Sequence, residues 1–74
     1  MTTLTNADKA QVINSRLRNL LYAKYNLDID KLVENAKVAP IESIIQKYND
    51  SISEVNLQIS ALTAELAKYP VEEA

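Results

Sequence analysis

Glycine, cysteine, histidine, tryptophan and phenylalanine are all missing from these 74 residues, and each absence closes off a class of structure or chemistry. Without glycine no residue takes positive backbone angles freely, so tight hairpins and an all-β chain are disfavoured. Without cysteine there is neither a disulfide nor a thiolate metal site. Without histidine the commonest zinc ligand and the usual general base are gone as well. A chain that lacks thiols is indifferent to the redox state of its compartment. Proline occurs only at 40 and 70, which leaves 1–39 and 41–69 free of the residues that most often punctuate a chain. No apolar run reaches the roughly 18 residues that mark a membrane span. The opening Met-Thr-Thr-Leu-Thr-Asn-Ala-Asp lacks the basic start and apolar stretch of a secretory signal, so an intracellular product is expected.

What is present is helical. Ile41, Ile45, Tyr48, Ile52, Val55, Ile59, Leu62, Leu66 and Tyr69 are spaced 4-3-4-3-4-3-4-3 without a break. Recurrence every 3.5 residues lines side chains up along one edge of a helix, which predicts a helix that packs lengthwise against another. This second helix is expected over about 40–69, with Pro40 in its first turn, Pro70 beyond its end and a loose acidic tail over 70–74.

A first helix is expected over about 5–37. Thr5 is placed to cap free backbone N–H groups, with Asp8 three residues on. Ala10, Ile13, Leu17, Leu20 or Leu21, Tyr25, Ile29, Leu32 and Ala36 then recur at helical spacing, with one irregularity at Leu20 and Leu21 of the kind called a stutter. Asn26, Asp28 and Asp30 are poor helix formers, so 26–30 is where a kink or fraying is expected. Pro40 disfavours helix in the residue before it, which places the turn at about 37–40.

Folding the two helices antiparallel imposes a test, because facing residues must carry numbers with a constant sum. Ala36 with Ile41, Leu32 with Ile45, Ile29 with Tyr48 and Tyr25 with Ile52 each add to 77. Beyond the stutter, Leu20 with Ile59, Leu17 with Leu62, Ile13 with Leu66 and Ala10 with Tyr69 add to 79. The same register brings Lys37 near Glu42, Lys24 near Glu54, Arg16 near Glu65 and Glu34 near Lys47, which opposes a parallel arrangement. The expected fold is therefore all-α, an antiparallel two-helix hairpin of coiled-coil type. A single kinked helix that pairs only with other chains is the alternative.

One chain this short buries a small share of its surface, and a two-helix hairpin has no second layer. Val12, Tyr22, Leu27, Ile44, Leu57, Ala61 and Ala64 are read as pointing off the seam, with Val38 beside them. Leu57, Ala61 and Ala64 form a narrow stripe of small side chains on the back of helix two. These are the candidate partner-interface residues, and scattered surface apolars are the bland reading of the same pattern. The e and g positions of helix two are mostly uncharged, which does not suit a parallel zipper. Completion into a helical bundle, by more copies of the chain or by another protein, is the expected outcome.

Chemical sites are not legible. Asp28, Asp30 and Glu34 are a dense carboxylate group, but they lack the loop glycine and closing glutamate of a calcium loop, and a solvated turn explains them. Arg16, Arg18, Lys24, Tyr22 and Tyr25 form the most basic stretch. Residues 1–26 carry a net +3 and 27–74 a net −5, so a hairpin sets the two side by side. A nucleic-acid binder keeps an uncompensated basic face, and nucleic acid is not expected as a partner. With no histidine, cysteine or glycine-rich phosphate loop, no enzyme, metal or cofactor is expected.

The stretch Leu-Thr-Asn-Ala-Asp-Lys-Ala-Gln-Val-Ile-Asn-Ser-Arg-Leu-Arg-Asn-Leu, with Tyr-Ala-Lys-Tyr-Asn-Leu and Glu-Asn-Ala after it, resembles short uncharacterised helical proteins of tailed bacteriophages, particularly those of marine cyanobacteria. The likeness covers most of residues 4–36 and continues loosely into Asn-Asp-Ser-Ile-Ser-Glu-Val-Asn-Leu-Gln-Ile-Ser-Ala-Leu. It implies either a structural or assembly protein of the virus particle or a small inhibitor that docks a helical face on a host enzyme or defence complex. The location it implies is the host cytoplasm or the virion. It brings no catalytic or binding motif to any position.

Overall fold

A computed structural model describes residues 3–70, which form two helices, α1 (Asn6–Asn35) and α2 (Glu42–Leu66), packed against each other as a hairpin. The molecule measures 57 × 23 × 19 Å, the proportions of a rod two helices wide.

The start of α1 is a reciprocal cap. The Asp8 amide donates to Thr5 Oγ1 and the Thr5 amide donates to Asp8 Oδ2, both at 3.1 Å. Two backbone donors with no helical acceptor are thereby satisfied. α1 then runs through 26–30 without the expected break. Each of Asn26, Asp28 and Asp30 costs up to about 0.7 kcal/mol against alanine. Their side chains are exposed, while Leu27 between them is half-buried, so packing carries the helix past its weak propensities.

The register is simpler than the expected one. The buried or half-buried positions of α1 include Ala10, Ile13, Leu17, Leu20, Lys24, Leu27, Lys31 and Glu34, a 3-4-3-4-3-4-3 series with no stutter. On α2 they include Ile45, Tyr48, Ile52, Val55, Ile59, Leu62 and Leu66, with Tyr69 continuing the spacing just past its end. Laid antiparallel, the two series match with numbers adding to 79 from one end to the other. Tyr25, Ile29, Leu32 and Ala36, expected on the seam, are exposed instead, and so is Ile41, which sits at the cap of α2 before the seam begins. The physical reason lies in α2. Its heptad is unbroken, and a stutter in α1 alone would rotate the α1 face away from it. Leu27 and Ile44, expected off the seam, are half-buried.

The turn needs no positive φ; none occurs among the described residues, so the missing glycine is no obstacle to the reversal. Ala36 caps the end of α1 in the right-handed helical region, and the Lys37 amide reaches the Glu34 carbonyl at 3.3 Å. Pro40 lies just before α2 and outside it, since Ile41 is the residue at the cap and the first helical residue is Glu42. Past Leu66, the amides of Lys68 and Tyr69 each donate three residues back, closing the end in tight turns.

Candidate interaction surface

Glu34 organises the closed end of the hairpin. Ile41 has no side-chain oxygen with which to cap α2. Glu34, 4% exposed, reaches across the turn and accepts the Ile41 amide on Oε2 at 3.0 Å, while Lys37 Nζ donates to Oε1 at 2.9 Å. The carboxylate thus fills the role that a glutamate three residues inside α2 has in a capping box. The Lys37 hydrogen bond first, and the Ile41 amide second, hold its carboxyl below the ordinary 4.5. The sequence suggests a solvated acid at Glu34, whereas the structure buries it with both oxygens engaged at the turn.

At the open end Tyr69 lies over Lys9, with Nζ 5.1 Å from the ring centroid, and its hydroxyl donates to Glu65 at 3.2 Å. Glu65 also pairs with Lys68 at 2.9 Å, which lowers the glutamate and raises the lysine. The ion pairs among the described residues are this one and Lys37–Glu34. Both lie within a helix end, and none of the four interhelical pairs expected from the sequence forms. Those expectations followed the register with the stutter, and exposed pairs are too weak to impose a register against apolar packing.

The principal surface feature follows from the corrected register. With Lys24, Lys31 and Glu34 turned inward, the apolar residues of the second half of α1 are left outside. Leu21, Tyr22, Tyr25, Ile29, Leu32 and Val33 are between 38% and 65% exposed. At 100° per residue they cover one face of α1, almost opposite the face that meets α2. Arg18 closes the N-terminal side of the patch, its guanidinium 5.7 Å from the Tyr22 ring centroid. Arg18, Leu21, Tyr22 and Tyr25 line a shallow hollow of about 380 Å³.

The candidates named from the sequence fall in different places. Tyr22 lies in this patch. Val12 is exposed farther back on α1. Leu57 is 72% exposed on α2, and Ala61 and Ala64 are exposed on the same helix. Ala61 lines an open groove between the helices with Arg16, Asn19, Leu20, Gln58 and Leu62. Leu27 and Ile44 are not free to meet a partner to the same degree, being half-buried. Tyr25, Ile29 and Leu32, with Leu21 as an alternative to Leu20, were missed as surface residues because their periodicity suits a seam and was assigned to the wrong one; Val33 was not singled out in the sequence at all.

No family model, curated protein or solved structure matches the chain. No helix is long and apolar enough to cross a membrane among the described residues.

Proposed function

We propose that this hairpin is a non-enzymatic interaction module whose outward α1 face packs against other helices to complete a bundle, in the manner of a structural or assembly component. The observation that carries the reading is the exposure of Leu21, Tyr22, Tyr25, Ile29, Leu32 and Val33 on one helix face. Contiguous apolar patches of this kind mark interaction sites on small soluble domains. The thin core supports it. Among the described residues only Ala10 and Ile13 are buried apolar residues, and no side chain is fully enclosed. The accessible surface is 5960 Å², where a compact monomer of 8.3 kDa exposes about 4600 Å².

The resemblance to tailed-phage proteins directs the particle or assembly reading. The second reading, an inhibitor seated on a host enzyme or defence complex, uses the same face in the helix-in-groove manner. Affinity capture with the tagged chain from its natural source, read by mass spectrometry, separates the two. Virion subunits together with self-association support the assembly role. One host enzyme recovered at near-equal amount makes the chain an inhibitor. Capture of neither, by a chain that sediments as a monomer, removes the interaction reading altogether.

A further inference from the structure

We propose that the outward face of α1 is a self-complementary interface that takes a second copy of this chain, antiparallel, across a two-fold axis level with Leu27; the inference rests on the interaction-module reading and names its first partner. Arg18, Tyr22, Tyr25, Ile29, Leu32 and Ala36 are spaced 4-3-4-3-4 along that face. This is a second heptad seam on α1, nearly opposite the one that meets α2.

The seam is palindromic in character. An isologous two-fold contact requires residue i to meet residue j and j to meet i. About position 27, Arg18 meets Ala36, Tyr22 meets Leu32 and Tyr25 meets Ile29, each pair adding to 54. Leu21 and Val33, which flank the seam, add to the same number. Large side chains therefore meet large ones across the centre, and the one charged member meets the smallest. A parallel pairing sets Arg18 on Arg18 in the seam, where like charges repel.

Charge supports the antiparallel choice from a second direction. α1 has no basic residue in its last turn, so its C-terminal carbonyls lack a cation from their own helix. In the antiparallel pair Arg18 of each copy lies beside that end of the other. Near the axis Asp28 approaches its own copy on the exposed flank of the seam, where solvent and salt screen the repulsion.

The area is sufficient. Taking roughly 200 Å² for a large apolar side chain, the six exposed residues offer on the order of 700 Å² per protomer, close to the roughly 800 Å² per partner of a standard interface. The product is a four-helix layer in which the two α1 helices lie at the centre and each α2 lies outside.

The absence of native cysteine makes a direct test clean. Tyr22→Cys and Leu32→Cys chains, oxidised separately and as a mixture, report which positions meet. The expected result is a 22–32 disulfide in the mixture and little cross-linking of either variant with itself. Sedimentation equilibrium of the unmodified chain accompanies it, and Ile29→Glu is expected to raise the dimer dissociation constant by about 30-fold or more. Predominant 22–22 and 32–32 disulfides would show a parallel pair and overturn the proposal. A monomer that still captures a foreign protein overturns the self-pairing and keeps the interaction module. A monomer that captures nothing removes both.

Discussion

Glu34 is the residue on which the reversal of the chain turns. Its two oxygens are divided between the Lys37 ammonium and the Ile41 amide. Glu34→Ala leaves the Ile41 amide without its acceptor, so the thermal midpoint is expected to fall by clearly more than for the exposed control Asp30→Asn, as followed by circular dichroism. The pH dependence has a definite sign. Glu34 and Glu65 both titrate below the ordinary 4.5 in the folded chain. Their contribution is fully present above 4.5 and is lost as the pH falls through the lowered values. Acid titration of the thermal midpoint is expected to show this loss, with a shallower slope in Glu34→Gln. Lys68, raised above 10.5, behaves oppositely: its contribution holds below 10.5 and is lost as the pH rises through the raised value. It lies on the surface, where such pairs contribute little. At the other end Thr5→Ala is expected to cost about 1 kcal/mol in chemical unfolding, the usual loss for an N-cap. Thr5 and Asp8 were legible in the sequence because a capping box is local. Glu34 was not, because its partner lies seven residues away across a turn.

The two helices differ in what they commit to the seam. α2 contributes an unbroken apolar heptad, and its course could be read directly from spacing. α1 has two faces in its second half, one with Lys24, Leu27, Lys31 and Glu34 and one with Tyr25, Ile29, Leu32 and Ala36. Counting apolar residues selects the second face, whereas the structure turns the first inward. The lysines can serve there because their methylene stems lie along apolar neighbours while the ammonium reaches water. Hydrophobicity alone could not decide between the faces; phase continuity with Leu20 and with α2 does. A pair of truncations separates the registers. Leu27→Ala is expected to destabilise the hairpin by about 1 to 3 kcal/mol, somewhat below the loss for a fully buried leucine. Leu32→Ala is expected to leave the unfolding of the isolated hairpin within about 0.5 kcal/mol. Denaturant titrations at concentrations too low for association give both values, and the reverse order would restore the stuttered register.

At the scale of the whole molecule, an elongated hairpin with a thin core turns an apolar face outward along half its length. The composition pointed to that thin core, since a short chain without cysteine or histidine lacks the commonest staples. The all-α hairpin was likewise legible in the absence of glycine and the placement of two prolines. Which face was left open required the register. On the proposed self-pairing, folding and assembly are linked, and the apparent stability is expected to rise with protein concentration, as for any native state that binds its own copy. Thermal midpoints recorded over a hundredfold concentration range check this. The most direct test of the exposed α1 face as an interface is sedimentation equilibrium of the intact chain beside Ile29→Glu. The native chain is expected to sediment at twice the 8.3 kDa chain mass and the variant as a helical monomer. A native chain that stays at 8.3 kDa at high concentration, with the variant indistinguishable from it, would contradict that interface.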